Sequence, residues 1–199
     1  MTRAVGESED VPAVLCALGA AAITGGDHAA ARAYFRESRA LSHERGNIWH
    51  SANALLGEGH VALAEDDAGV ANGCYVEALQ LFAGLPSWDD RRRRTGMAAC
   101  LAGMAGAAAS TAPERAARLF GSSAALRATV EPATLDQFDM IYPLMGNRAA
   151  NDLALVTVRA ALGDAVFDAA WAAGQALTLE QAVEEALAGS PIGNDDPRA

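Results

Sequence analysis

The sequence predicts an all-α protein, an α-solenoid of about three stacked helix pairs followed by a C-terminal helical cap. Apolar residues recur at helical spacings, as in Ala71 and Tyr75, which places them on one face of a helix. The pattern also repeats, because Phe35 and Tyr75 are forty residues apart, and so are Leu41 and Leu81. Aromatic residues make up only 6% of the chain, and the scarcity of β-branched and aromatic residues argues against strands.

Composition limits the classes of function. A chain of 199 residues can form one substantial core or a short helical array. The net charge of -10 disfavours direct binding to nucleic acid or to an anionic membrane surface. Three widely spaced cysteines indicate buried thiols in a reducing compartment. We therefore expect a cytoplasmic protein.

Turn and cap residues divide the first part of the chain into four helices. Asp10 caps the first, and Pro12 stands in its tolerated first turn. Gly26 with Asp27 ends the first helix and caps the second, and Gly46 with Asn47 repeats this arrangement before the third. Asp66-Asp67 separates the third from the fourth. The first helix is expected to run from the Asp10 cap to about Thr24, and the next three to cover about 28–45, 48–65 and 68–83.

Two further cap signals predict the fifth and sixth helices. Ser87 with Asp90 can cap a helix over about 88–109, and Thr111 with Glu114 reads as a capping box for a helix over about 113–129. The C-terminal part is less regular, with helices expected near 135–141, 147–162 and 164–173. A capping box of Thr178 and Gln181 opens a last helix through Ala188.

The chain is accordingly divided into four parts. Residues 1–10 are expected to be a disordered leader, 11–130 the helix pairs, 131–189 the capping helices and 190–199 a mobile tail.

Three segments share a small residue followed four residues later by an aromatic one, and in two of them a Leu-Gly pair precedes it. The residues are Leu18-Gly19, Ala31 and Phe35; Leu56-Gly57, Ala71 and Tyr75; and Ala116 and Phe120. This pattern resembles the tetratricopeptide repeat. The resemblance implies that the glycine lets paired helices touch and that the aromatic fills the gap to the neighbouring unit.

Two longer segments carry a more specific resemblance. Residues 100–127, CLAGMAGAAASTAPERAARLFGSSAALR, and 158–187, VRAALGDAVFDAAWAAGQALTLEQAVEEAL, look like the C-terminal repeat region of LuxR-type and other large ATP-dependent bacterial transcriptional regulators. This implies a sensor arm of such a regulator. The chain has no GxxxxGK[ST] loop, so nucleotide binding is not carried over. A DNA-binding module is not expected after the last helix.

The first helices of the stacked pairs are expected to line a concave groove. In the second pair the predicted lining is Ser51, Ala54, Glu58 and Val61. Such a surface binds extended or helical peptides through many shallow contacts, so a protein or peptide partner is predicted.

A second candidate surface is an unusually apolar insertion between 135 and 148. Its residues are Phe138, Ile141, Tyr142, Leu144 and Met145. It either seals the end of the array, as terminal repeats must, or forms an interaction patch covered by a partner or by a second copy in a homodimer.

No residue pattern indicates catalysis, a cofactor or a metal site. His50 and His60 share a helix stripe without nearby carboxylates or cysteines at ligand spacing, so His60 is interpreted as a buried, hydrogen-bonded residue. The basic run 91–94 follows Asp89 and Asp90, which favours a solvated, partly neutralised helix start over a phosphate contact. We therefore predict a non-enzymatic protein-interaction or regulatory module. The alternative is the peptide- or small-molecule-sensing part of a DNA-binding regulator.

Overall fold

A computed structural model of the chain describes residues 11–130 and 147–188. These residues form nine α-helices and one short 3-10 turn at Ser87–Asp89, and they contain no strand, which confirms the all-α prediction. The helices are α1 Val11–Thr24, α2 His28–Glu44, α3 Ile48–Ala64, α4 Ala68–Ala83, α5 Asp90–Ala108, α6 Pro113–Ala128, α7 Arg148–Leu162, α8 Asp164–Gln175 and α9 Leu179–Ala188.

The same turn joins the first four helices at three places, twenty residues apart. Asp27, Asn47 and Asp67 each accept a hydrogen bond from the backbone N–H three residues further on, at 2.9, 3.1 and 3.0 Å. These bonds satisfy donors that a helix start leaves unpaired. The residue before each cap has a positive φ: 77° at Gly26, 64° at Gly46 and 61° at Asp66. The predicted caps of α2 and α3 are confirmed.

Two of the other predicted caps are wrong. The side chain of Ser87 does not cap α5, because Ser87 lies in the 3-10 turn. Asp89 precedes α5, and its side chain makes no capping hydrogen bond. Thr111 does not cap α6, since Ala112 stands at the cap position. The capping box at α9 is confirmed: the Gln181 side chain accepts from Thr178 N at 2.9 Å, and the Thr178 hydroxyl accepts from Gln181 N at 3.3 Å.

Helices α1 to α6 pack in chain order, each against the next, and α3 additionally contacts α1 and α5. As a result α3 is covered on most of its circumference, and eleven of its seventeen residues are buried. A small core of Cys16, Ala31, Phe35, Ala54 and Val61 joins α1, α2 and α3. A larger core extends from α3 to α9.

Two aromatic rings fix the spacing between the helix pairs. The Phe35 ring lies against Gly19 and Gly57, and the Tyr75 ring lies against Gly59 and Gly103. A methyl group on Gly19 would come within 2.7 Å of the Phe35 ring, closer than any packed carbon pair. Each ring therefore bridges its own helix pair and the next.

This packing corrects the predicted repeat alignment. The glycine that meets the aromatic of its own pair is Gly19 in the first pair and Gly59 in the second. These residues are forty apart, like Phe35 and Tyr75, whereas Gly57 meets the aromatic of the preceding pair. The alignment of Leu56-Gly57 with Leu18-Gly19 is thus shifted by two residues.

The C-terminal helices attach mainly through α8, which packs along α6. A methyl group on Gly174 would overlap the carbonyl oxygen of Arg118, and one on Gly121 would overlap that of Trp171. The two backbones are therefore in direct contact. The Ser122 hydroxyl donates to the Gly174 carbonyl at 2.9 Å, and the Arg115 guanidinium donates to a carbonyl at the end of α9 at 2.8 Å.

Within residues 11–130 and 147–188, none of the helices has the length and hydropathy needed to cross a membrane.

Candidate functional site: a groove between α2 and α4

An open groove of about 720 Å³ lies between α2 and α4, with the N-terminal half of α3 along its base. It exists because α2 and α4 both pack on α3 but not closely on each other. Leu55 forms part of the base and is 1% exposed. The lining residues are Arg36, Arg39, Ala40, Ser42, His43, Glu44, Gly46, Ile48, Ser51, Leu55, Glu77 and Leu81.

The two walls of the groove differ in charge. Arg36, Arg39 and His43 follow one another on α2 at spacings of three and four, which places them along one edge of that helix. Glu77 lies on the opposite wall, on α4. Within the described part of the chain, Arg36 forms no salt bridge. An apolar base between a basic wall and an acidic residue suits an amphipathic ligand.

Glu58 extends from α3 beneath the basic wall, and its side chain is 13% exposed. The Nε of Arg39 is 3.2 Å from Oε1 of Glu58, yet this oxygen accepts no hydrogen bond. Burial raises the pKa of the Glu58 carboxyl, and the positive charge of Arg39 opposes that rise. Glu58 is thus a partly buried carboxylate that the charge of Arg39 only partly stabilises.

The three cysteines do not line the groove. The prediction of buried thiols is confirmed for Cys16 and Cys100, whereas Cys74 is half-buried near Glu58. Burial raises the pKa of the Cys16 thiol to about 11 and raises the pKa of Cys74, with a further contribution from the charge of Glu58. A raised pKa keeps these thiols protonated and unreactive at neutral pH.

Only part of the predicted groove lining is accessible. Ser51 lines the groove, whereas Glu58 does not line it and instead contacts Arg39 of the basic wall. Ala54 and Val61 are fully buried in the small core with Phe35, so their assignment to a binding surface is wrong. The reason is that α1 and α5 both contact α3 and close the side on which the first helices were expected to be open.

The predicted interaction patch lies outside the described residues. It comprises Phe138, Ile141, Tyr142, Leu144 and Met145. The helix expected near 135–141 falls in the same undescribed range.

The interpretation of His60 as a buried, hydrogen-bonded residue is confirmed. His60 is 3% exposed, and its Nδ1 lies 2.9 Å from the Tyr75 hydroxyl. Among the described residues, no group of three or more His, Cys, Asp or Glu side chains is placed to hold a metal ion.

The basic run at the start of α5 is neutralised locally, as predicted. Asp90 pairs with both Arg93 and Arg94 at 2.6 Å, and Asp89 lies 3.5 Å from Arg92. Hydrogen bonds from Arg93, and then from Arg94, lower the pKa of Asp90. The carboxylates therefore occupy guanidinium groups that a phosphate contact would need.

Sequence reasoning missed the residues that form the groove walls. A signal was present, because Arg32, Arg36, Arg39 and His43 recur at spacings of four, three and four along α2. These residues form a basic stripe along α2. The stripe alone does not show that α2 forms a wall of a groove.

Comparison with known proteins relates the chain to bacterial regulators. It is 31% identical over 175 residues to a protein of Mycobacterium tuberculosis strain H37Rv and to one of Mycobacterium bovis, each named "Putative HTH-type transcriptional regulator". The matches include 84% of this chain but only 17% of the length of those relatives.

The other two comparisons add no relative. No protein-family model matches the chain, and no solved structure matches it. The similarity is therefore to one segment of these much longer regulators. It supports a regulatory role.

Proposed function

We propose that this chain is a non-enzymatic, tetratricopeptide-like interaction module that works as the sensor arm of an HTH-type transcriptional regulator of the LuxR kind. The observation that carries the proposal is the groove between α2 and α4, formed by a segment that is similar to regulators over most of its length. In this role the chain binds a protein or peptide in the bacterial cytoplasm and does not itself contact DNA.

The packing of the helix pairs supports the tetratricopeptide-like part of the proposal. In such arrays each pair buries its face only against its neighbours. Phe35 and Tyr75 each contact a glycine of their own pair and a glycine of the next helix pair. Ala31 and Ala71, four residues before these aromatics, are fully buried, as expected for small residues at helix crossings.

The lining of the groove supports a peptide ligand. Ile48 is 45% exposed at one end, and the partly buried Leu81 contributes from α4. Apolar contacts of this kind, flanked by Arg36 and Glu77, match a helical segment with an apolar face and charged edges. Amphipathic helices bind grooves in this way, with apolar anchors at helical spacing.

The test compares two variants that place new charges at similar sites. Ile48→Asp combined with Ser51→Arg alters the groove, whereas Val70→Asp changes an equally exposed apolar residue in the first turn of α4, outside the groove lining. An Asp in the first turn is favourable to a helix in both cases. Proteins captured from a lysate of the source cells are identified, and the binding segment is then titrated against purified chains.

We expect the wild type and Val70→Asp to bind the segment with the same affinity and the groove variant to bind at least about tenfold more weakly, a loss of about 1.4 kcal/mol. Equal binding by all three chains would reject the groove as the site. Failure of the wild type to bind any protein would reject the interaction module.

A small-molecule effector is the second candidate. The groove volume of about 720 Å³ lies within the range of about 300–1,000 Å³ that is usual for ligand sites. The two arginines of the α2 wall, Arg36 and Arg39, favour an anionic compound. Thermal stabilisation of the wild type but not of Arg36→Ser by an anionic metabolite, together with no peptide binding, would support this candidate over the first.

A further inference from the structure

Helix α7 presents an apolar face outward. Leu153 is 68% exposed and Val156 is 66% exposed, while Val158 is the residue of α7 that is fully buried. Ala149 and Ala160 are also exposed. The four residues Ala149, Leu153, Val156 and Ala160 follow at spacings of four, three and four, which places them in one stripe along the helix. We call this stripe the α7 seam.

Charged residues of opposite sign flank the α7 seam on one side. Asp152 and Arg159 are seven residues apart and thus lie on nearly the same helix face. Arg159 is 46% exposed and pairs within the chain with Asp164 at 2.7 Å and Asp168 at 3.0 Å. These contacts fix the position of its guanidinium. Asp152 is exposed and forms no ion pair among the described residues.

We propose that the α7 seam binds the α7 seam of a second copy of this chain, with the two helices antiparallel. A twofold axis midway between Leu153 and Val156 sets Leu153 of one copy against Val156 of the other. The same axis sets Ala149 against Ala160. The alanines let the helices approach closely, near the lower end of the range of about 8–10 Å between axes.

The same twofold axis also places opposite charges of the two copies side by side. A twofold rotation of this kind keeps each flank of the seam on the same side, so Asp152 of one copy lies beside Arg159 of the other. At about 1.5 Å of rise per residue, the two differ by only about 3 Å along the helix axis. The interface therefore contains two equivalent ion pairs. Such self-complementarity is required of a twofold interface and is not required for binding an unrelated partner, which is why a second copy is the occupant.

The size of the seam sets the strength of the association. One pair of short helices is smaller than a standard interface of about 1,600 Å². The dimer is therefore weak and dissociates on dilution. This self-association is independent of the groove between α2 and α4 and of any ligand bound there.

The first test is sedimentation equilibrium of the full 199-residue chain over a wide range of concentrations. We expect a reversible monomer–dimer equilibrium. Leu153→Lys with Val156→Lys should weaken it at least tenfold. The control Val14→Lys with Val70→Lys changes two exposed valines of similar accessibility on α1 and α4 and should leave the equilibrium unchanged. All four positions are exposed, so none of these changes disturbs the core.

The second test separates an antiparallel pair from other arrangements. Asp152→Arg alone sets two arginines against each other across the interface, and Arg159→Asp alone sets two aspartates, so each variant by itself should be monomeric. Mixed in equal amounts, the two variants restore both ion pairs and should form a heterodimer. Asp152→Arg removes no ion pair among the described residues. Arg159→Asp removes the pairs with Asp164 and Asp168, so thermal unfolding is used to show whether the C-terminal helices of this variant remain folded.

A wild-type chain that stays monomeric at millimolar concentration would overturn the proposal. So would a dimer that survives Leu153→Lys with Val156→Lys, because another surface would then hold it. If Arg159→Asp is folded and the mixed variants stay monomeric, the antiparallel arrangement is wrong. If it is unfolded, the lysine variants alone decide between dimer and monomer.

Discussion

The Tyr75 hydroxyl lies 2.9 Å from Nδ1 of His60, in the buried contact between α4 and α3. In the first helix pair the residues forty positions earlier are Phe35 and Ala20. The second pair therefore holds a polar pair where the first has apolar side chains. Burial raises the pKa of the Tyr75 hydroxyl far above its usual range, so this hydroxyl stays protonated and available for the hydrogen bond.

Tyr75→Phe should lower the free energy of unfolding by about 1–2 kcal/mol, because it leaves the buried Nδ1 of His60 without this partner. Chemical denaturation measures the change. Tyr34→Phe on the half-exposed face of α2 is the matched control and should change stability by less than about 0.5 kcal/mol. Equal effects of the two substitutions would show that the hydrogen bond contributes nothing.

Glu58→Gln should stabilise the folded chain at neutral pH. Burial raises the folded-state pKa of Glu58 above 4.5, so ionisation of this residue opposes folding. The wild type loses this part of its stability as pH rises from the unfolded-state pKa through the folded-state pKa. The advantage of Glu58→Gln should therefore be small at pH 3 to 4 and largest above the folded-state pKa.

Denaturation curves at several pH values measure this difference. Glu37→Gln, which removes the same charge at an exposed position on α2, is the control for the change in net charge. An advantage of Glu58→Gln that grew as pH fell would have the wrong sign and would contradict burial as the cause of the raised pKa of Glu58.

Gly174→Ala should detach α8 from α6. The added methyl group would overlap the backbone oxygen of Arg118, which cannot move without shifting the helix. We expect a loss of at least about 1–3 kcal/mol, as for overpacked cores, and a change in the fluorescence of Trp171. Gly73→Ala is the matched control within α4, where a methyl group meets nothing within 4 Å. It should stabilise the chain by about 0.5–1 kcal/mol.

Substitution of cap residues should distinguish the caps that form a hydrogen bond from a predicted cap that does not. Asp67→Ala and Thr178→Ala each remove a side chain that accepts a backbone hydrogen bond and should each cost about 1 kcal/mol. Thr111→Ala should cost less than about 0.5 kcal/mol, since Thr111 is not the cap of α6. Thermal unfolding ranks the three variants by stability. A loss for Thr111→Ala equal to the other two would contradict the assignment of Ala112 as the cap of α6.

Sequence periodicity was sufficient to locate the helices of residues 11–130 and 147–188 approximately. The fourth helix is predicted at 68–83, the range in which it is found, because Asp66-Asp67 separates it from the third helix and Ala71 and Tyr75 share one helix face. Prediction failed near Ser87, where a 3-10 turn over Ser87–Asp89 precedes α5 in place of the expected side-chain cap.

The groove was harder to predict because it depends on which side of α3 stays open. The residues Ala54 and Val61 resemble a surface stripe in sequence, being small and aliphatic on a helix with polar neighbours. Their burial follows from the contacts of α3 with α1 and α5, which join residues distant in the chain. Local spacing does not determine such contacts.

The position of the Phe35 ring also affects how the chain unfolds. Because the ring lies between Gly19 of the first helix pair and Gly57 of the second, it is shared by both. A fragment ending at Gly46 would keep the ring but expose one of its faces, and a fragment beginning at Asn47 would keep an empty cleft. We therefore expect the first two helix pairs to unfold together in one cooperative transition.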